Sequence, residues 1–396
     1  MSLFSIRKDS ECLLIFDIGS GSVAGAIILT AKEHPPTVLY NFRSDIPFHE
    51  EATGSRLLSL MLRSLAQVVM AISHEGFEVA GFGARRPKIR EAIVSLSAPW
   101  VISRTSTLTL RNKEPQKITA SVFSELLAHS KEETDSQEEN VPKGSVEIEQ
   151  KLVKSLLNGY ETASPFEKKA SEAEFSVFES FSLPRVTEKI SDIIANFIHA
   201  KQVTYHSFSL LAFSTLRELY PNEENFVIVD VSGEQTELAI VKKAVLVETI
   251  TFPFGRNHLI RMLKKYTDMP ASGVSAIFKL YVENNGTGRL FERAKKVFEK
   301  AKEEWGEKFS KTLSAFSEET FLPQLIFLTA DDDVAPIFKA TIETGDWSKL
   351  MISPSSFQII TVGNELLGAS ANWSAGQTRD QFITLISAFA SRLRHG

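Results

Sequence analysis

Leu13-Leu14-Ile15-Phe16-Asp17-Ile18-Gly19-Ser20-Gly21-Ser22 is an apolar run that ends in an aspartate and then breaks on alternating glycine and serine. Val23 to Leu29 restores the apolar character, so the stretch reads as a β-hairpin with a Gly-Ser turn. Thr37 to Phe42 follows as a third strand. Far downstream the pattern returns: Phe226 to Val231 carries Asp230 at its end, Ser232-Gly233-Glu234-Gln235-Thr236 forms the bend, and Leu238 to Val241 and Val245 to Phe252 supply two further strands. Asp17 and Asp230 lie 213 positions apart, a spacing that gives each copy one lobe. Duplication of a three-strand unit is the dominant large-scale feature.

A strand that ends in Asp and turns on small residues offers a row of backbone N–H groups and hydroxyls to a phosphate, and the missing side chains allow close approach. Two such turns facing each other would grip a triphosphate. Asp17, Gly19, Ser20, Gly21 and Ser22 from the first turn, with Asp230, Ser232, Gly233, Gln235 and Thr236 from the second, are therefore the candidate nucleotide-binding residues. Asp17 and Asp230 would act on a magnesium ion, directly or through its waters. Either turn alone is no more than a satisfied hairpin bend; the pairing at equivalent points of a repeat carries the reading.

Around these hairpins the periodicity places helices at Ser55 to Ile72, at Val186 to Ile198 and at about His258 to Lys265, and one or two helices over Arg289 to Phe316. Ile93 to Trp100, Thr105 to Leu110 and Glu174 to Phe181 read as strands of an inserted subdomain, with a helix at Val122 to Leu127. The acidic run Lys131 to Asn140 reads as a solvated loop. After the short strand Leu325 to Leu328, one of Asp331, Asp332 and Asp333 is expected to cap a further helix. The resulting division is a first lobe at 1–85, the insert at 86–184 and a return helix and crossover at 185–210. The second lobe is 211–396, with 261–320 as its helical part and the final helix free to close the first lobe.

With 396 residues, 43% apolar and 23% charged, the chain is globular and too long for one core. A net charge of -5, with no basic stripe, speaks against nucleic acid as a partner. The single cysteine, Cys12, cannot form an internal disulfide, and Leu3, Phe4 and Ile6 near the start do not make a signal peptide, so a cytoplasmic location is expected. The eight histidines show no metal-ligand spacing. No nucleophile with a nearby base stands out, so slow ATP hydrolysis is the most enzymatic activity expected.

Phe16-Asp17-Ile18-Gly19-Ser20-Gly21-Ser22 and Val229-Asp230-Val231-Ser232-Gly233-Glu234-Gln235-Thr236-Glu237-Leu238 resemble the two phosphate motifs of the actin superfamily. Within it the chain is most similar to the FtsA/PilM family, on the strength of Val94-Ser95-Leu96-Ser97-Ala98-Pro99, Leu157-Asn158-Gly159-Tyr160 with Ser164-Pro165-Phe166, and Thr251-Phe252-Pro253-Phe254-Gly255-Arg256-Asn257-His258. The resemblance implies an α/β, actin-like (ribonuclease H-like) two-lobed fold with a duplicated core and an inserted α+β subdomain, holding ATP and Mg2+. It adds Lys279 as a residue near the base. It also implies a scaffold that self-associates and links a cytoplasmic partner to an assembly at the inner face of the cell membrane: FtsZ in division for an FtsA-like chain, a pilus membrane protein for a PilM-like one. A sugar- or acid-kinase-like enzyme is the alternative from another class. Departures from the motif are visible. Ser232 and Glu234 replace glycines, Gln235 replaces a threonine, Glu237 stands where Asp is usual, Ala330-Asp331-Asp332 occupies a Gly-Gly site, and Ala276 replaces the Glu partner of Lys279. They point to weakened, altered or lost nucleotide binding. The apolar stripe Phe382, Leu385, Ile386, Phe389 and Leu393, with Arg392 and Arg394 beside it, would suit an anionic membrane, but packing against the core is the expected reading. Membrane association would then run through a partner.

Overall fold

The computed structural model describes residues 10–50, 54–83, 86–134, 141–267, 273–317, 322–347 and 356–395. Leu3, Phe4 and Ile6, and the part of the acidic run from 135 to 140, lie outside the described residues.

The first unit runs β1 (Glu11–Ile18), β2 (Ser22–Ala31), β3 (His34–Asp45), α1 (Gly54–Ala71) and β4 (Glu91–Leu96). Next come β5 (Ile102–Lys117), α2 (Ala120–Thr134), β6 (Val146–Leu157), β7 (Tyr160–Glu161) and β8 (Lys169–Ser182), then α3 (Pro184–Phe197), β9 (Gln202–Ser207) and α4 (Phe208–Leu219). The second unit comprises β10 (Phe226–Val231), β11 (Thr236–Lys242), β12 (Val245–Phe252), α5 (Arg256–Thr267), α6 (Val274–Val282), α7 (Arg289–Ser317), β13 (Leu325–Ala330), α8 (Ala335–Thr344) and β14 (Gln358–Thr361). The chain then returns to the first sheet through β15 (Asn372–Trp373) and ends on α9 (Gln381–His395).

The duplication is explicit in the strand orders. The first sheet reads β15-β3-β2-β1-β4-β9 and the second β12-β11-β10-β13-β14. In each, an antiparallel three-strand meander is extended by two parallel strands, which require crossovers that carry helices. The insert makes a separate four-stranded antiparallel sheet, β5-β8-β6-β7, whose β6–β7 turn uses Asn158 and Gly159, both at positive φ, as a two-residue hairpin turn requires.

Strand alternation sorts the cores. Cys12, Leu14, Phe16 and Ile18 of β1 face α1 and α3, while Leu13 and Ile15 face α4 and α9. On β10, Val227, Val229 and Val231 face the helices of the second lobe, and Phe226 and Ile228 face the same middle layer as Leu13 and Ile15. The protein is thus stacked helix, sheet, helix, sheet, helix, with one apolar core common to both lobes. By parity, Asp17 and Asp230 both project to the middle layer.

Several elements differ from the sequence reading. The strand expected to open the insert is β4, which pairs in parallel with β1 and β9 inside the first sheet; the insert's own sheet begins at Ile102. Lys131 to Thr134 continue α2 rather than forming a loop. No Asp caps α8: the helix follows Val334 without a side-chain cap, and it is the main-chain oxygen of Asp331 that accepts the Val334 and Ala335 N–H groups. Of the two alternatives expected for Arg289 to Phe316, the structure has the single helix, Arg289–Ser317. α1 with its extension, Gly54–Val79, is long and apolar enough to cross a membrane by composition, yet Leu57, Leu58, Met61, Leu65, Val68 and Val69 are buried in the first lobe. As expected, α9 packs on the core: Ile383, Leu385, Ile386, Phe389 and Ala390 are buried in the middle layer, while Leu393 near its end is exposed.

Trp305 on α7 ties the helical part of the second lobe to its Gly-Ser turn: the fully buried indole stacks on Phe309 and donates its N–H to Thr236 Oγ1 at 3.0 Å. Trp305→Ala should cost about 3–5 kcal/mol, to be read as a drop in the urea midpoint of unfolding with little change in m-value.

Candidate functional site: the cleft between the two turns

The two Gly-Ser turns meet. Ser20 Oγ and Ser232 Oγ share a hydrogen bond of 2.8 Å, Ser20 Oγ accepts the Glu234 N–H at 2.9 Å, and the Ser232 hydroxyl donates to the Gln235 carbonyl at 3.1 Å. A Cβ on Gly233 would stand 2.4 Å from Gly21 N and 2.5 Å from Gly21 Cα. Only glycine permits that backbone approach. Between the turns lies a cavity of about 30 Å³, lined by Asp17, Ser22, Arg43, Asp230, Asp331 and Phe382 among others. That is room on the scale of a single water.

Each aspartate has an internal partner. Arg43 of β3 donates Nη2 to Asp17 at 2.9 Å, Nη1 to Ser22 Oγ at 2.6 Å, and Nε and Nη2 to the two oxygens of Asp380 at 2.7 and 3.0 Å. Asp380 is itself held, because one of its oxygens accepts the Phe382 and Ile383 N–H groups and caps α9. Asp230 accepts the Thr329 hydroxyl at 2.7 Å. Asp333 is gripped by Arg256 at 2.6 Å. Glu234 turns away from the cleft to Arg261 at 2.6 Å and to the Asn257 amide at 2.8 Å.

The carboxyls here resist ionisation. Burial pushes Asp17 up to about 6 against the pull of Arg43, and burial raises Asp230 well above the ordinary carboxylate range despite Thr329. Asp331 is also raised by burial, partly offset by Arg43 and Arg256. Beneath them Glu237, 5% exposed, is pushed up to about 7 by burial. Its Oε2 has no hydrogen-bond partner among the described residues.

Of the residues singled out in the sequence, Asp17, Gly19, Gly21, Ser22, Asp230, Ser232 and Gly233 line this cavity, and Ser20 bridges it. Gln235 contributes its main-chain oxygen to the second turn. Thr236 is buried on the far side, donating to the Phe254 carbonyl. Lys279 is not brought to the cleft: its side chain is 74% exposed on α6, 3.9 Å from Glu283 one turn on. The sequence pattern does not single out Arg43 or Asp380 as site residues. Asp380 was accessible as a capping residue before an apolar run; Arg43 was not, since a lone arginine at a strand end normally reads as solvated.

The residues as arranged do not fit a magnesium triphosphate. The turns that would straddle the phosphates touch each other, the guanidinium of Arg43 occupies Asp17, and the cavity is an order of magnitude smaller than the ~300 Å³ or more of a small-molecule site.

No protein-family model matches the sequence, and none of the curated proteins does. Solved structures do resemble it. A chain of a PilM–PilN type IV pilus biogenesis complex is 12% identical, matches over 96% of both chains and superposes with a TM-score of 0.57. Ethanolamine utilization protein EutJ from Carboxydothermus hydrogenoformans is 10% identical over 97% of this chain and 93% of its own, with a TM-score of 0.44. A Bacteroides thetaiotaomicron protein of actin-like ATPase fold is 7% identical over 98% and 99%, with a TM-score of 0.42. The duplicated sheets and the first of these likenesses establish an α/β, actin-like fold.

The raised carboxyls set a sign for the pH dependence. The folded chain keeps protons on Asp17 and Glu237 that the unfolded chain releases near pH 4. Their favourable contribution is therefore complete below about pH 4 and is lost as the pH rises through about 6 to 7. Glu237→Gln should flatten that decline and make the protein more stable than wild type at about pH 8, by on the order of 1–3 kcal/mol. Urea unfolding across this range tests it, and an unchanged slope would remove Glu237 from the account.

Proposed function

We propose that this chain is an actin-like adaptor of the PilM kind, one that holds a short segment of a membrane-anchored assembly protein on the cytoplasmic side. The observation that supports the reading is the apolar character of one groove. The inter-lobe cleft is filled by the chain's own groups, and a groove of about 110 Å³, smaller than the hollows of about 510 and 520 Å³ beside β2 and α9, opens where the insert stands against α1 and α3. Leu57, Leu58, Trp100, Val101 and Phe181 make its walls apolar, with Arg185 and Ser145 at the rim. Such a groove suits one or two apolar side chains of an extended segment, with polar groups at the edge to fix its direction. The full-length likeness to a chain of a pilus biogenesis complex supports the choice of a pilus membrane protein over FtsZ. The burial of most of the α9 stripe makes α9 a core helix and not a membrane-lying one.

Gly54 sits exposed at the mouth of this groove, and a Cβ there meets nothing within 4 Å. Gly54→Trp should fill the groove without disturbing the fold. The expected result is co-purification of the wild type with a pilus inner-membrane protein from the same cells, at least about tenfold weaker binding by the variant, and equal Tm values. Capture of FtsZ instead, or equal binding by both forms, would overturn the assignment. Self-association would be read in the same samples as a concentration-dependent rise in mass.

A further inference from the structure

We propose that this chain holds its lobes closed with internal groups placed where a phosphate and its metal would bridge them, so that closure needs no nucleotide. The inference does not rest on the adaptor reading; a protein that ignored every pilus partner would leave it standing.

The contacts form three sets. At the cleft, Ser20 joins Ser232 and the Glu234 N–H, forming a relay that leaves both hydroxyls satisfied through the Gln235 carbonyl. Beside it, Gln381 at the start of α9 reaches across to the Ala330 carbonyl at the end of β13, at 2.7 Å. On the other side the insert grips the second lobe: Thr105 Oγ1 donates to the Leu246 carbonyl at 2.5 Å, Thr249 Oγ1 donates to the Ser103 carbonyl at 2.7 Å, and Lys154 Nζ donates to the Lys243 carbonyl at 2.8 Å. A triphosphate entering between the turns would have to break the first set outright, and prising the lobes apart to admit it would strain the other two.

Charge points the same way. Arg43 bridges Asp17 and Asp380, using all three guanidinium nitrogens on carboxylates and Ser22. A planar guanidinium in such a fork is a strong, specific cation for carboxylate. It neutralises the aspartate that would otherwise call for magnesium. An incoming phosphate would meet Asp17, Asp230 and Asp331, with Arg256 and Arg261 among the described residues already taken by Asp333 and Glu234.

The test uses the full chain with Ser20→Cys and Ser232→Cys together; the one native cysteine, Cys12, is buried in β1. Because the two hydroxyls are 2.8 Å apart, mild oxidation without nucleotide should link the pair, and ATP with magnesium in large excess should leave the rate unchanged. In parallel, the wild-type Tm should not move on adding ATP and magnesium, although saturation at ~100 times Kd would add about 2.7 kcal/mol. A pair that stays reduced, oxidation slowed about tenfold or more by ATP, or a saturable rise in Tm would each overturn the proposal.

Discussion

The arrangement of the two lobes depends on the approach of two backbones, Gly21 from one lobe and Gly233 from the other, with no room for a Cβ on Gly233 between them. Neither hairpin could take this position alone. The two turns meet because β1 and β10 end at matching points of duplicated sheets, and both sheets press their inner faces on one helical layer. The relay through Ser20 and Ser232 then fixes the angle between lobes. A neutral hydrogen bond contributes only about 0.5–1.5 kcal/mol net, so the relay sets geometry more than stability. Stability comes from the shared apolar layer, in which Leu13, Ile15, Phe226 and Ile228 pack with the helices between the sheets.

Duplication has not kept the two halves alike. Asp17 and Asp230 occupy equivalent strand ends, and parity turns both inward, but their surroundings differ. Arg43 faces Asp17, whereas Thr329, on the parallel neighbour of β10, offers Asp230 only a hydroxyl. Burial raises both carboxyls, and only Asp17 has a cation to work against it. Glu237 adds a second buried acid under Asp230 and so makes ionisation of either less favourable. The second turn is thus the more proton-rich one, an unusual setting for a group meant to hold a metal.

What could be read from the sequence follows from how local the signal was. The two hairpins, α1, α3 and α5 declare themselves by period and by turn residues, because each buries one continuous face. Sequence pattern alone assigns β4 to the insert because parallel pairing leaves no local mark: Glu91–Leu96 is buried in the first sheet only through distant β1 and β9. β6 went unseen because Val146–Leu157 mixes Glu, Gln and Lys with apolar residues and is covered on one side only. Its Glu149 is nonetheless buried, accepting from Ser207 N–H and facing His206 Nδ1 at 2.5 Å, where the insert joins the first lobe. In the cleft, motif residues were legible and their partners were not. Arg43 and Asp380 stand 337 positions apart, and only the return of the chain through β15 and α9 brings them together.

The groove and the cleft share a side chain. Trp100 walls the groove, and its indole N–H donates to the Gly19 carbonyl at 2.8 Å, on the first turn itself. Its own carbonyl accepts the Ser182 hydroxyl at 2.7 Å, which fastens the same residue to the last strand of the insert. A segment seated against Trp100, as the adaptor reading proposes, would press on a group bonded to the first Gly-Ser turn one way and to the insert the other. Movement of the insert that widened the groove would also load the Thr105 and Thr249 contacts to the second lobe. Because the lobes are already closed on each other, such a load has nowhere to relax inside the cleft. The rigidity that leaves no room for a triphosphate is the property that would hold the groove at a fixed width for a partner.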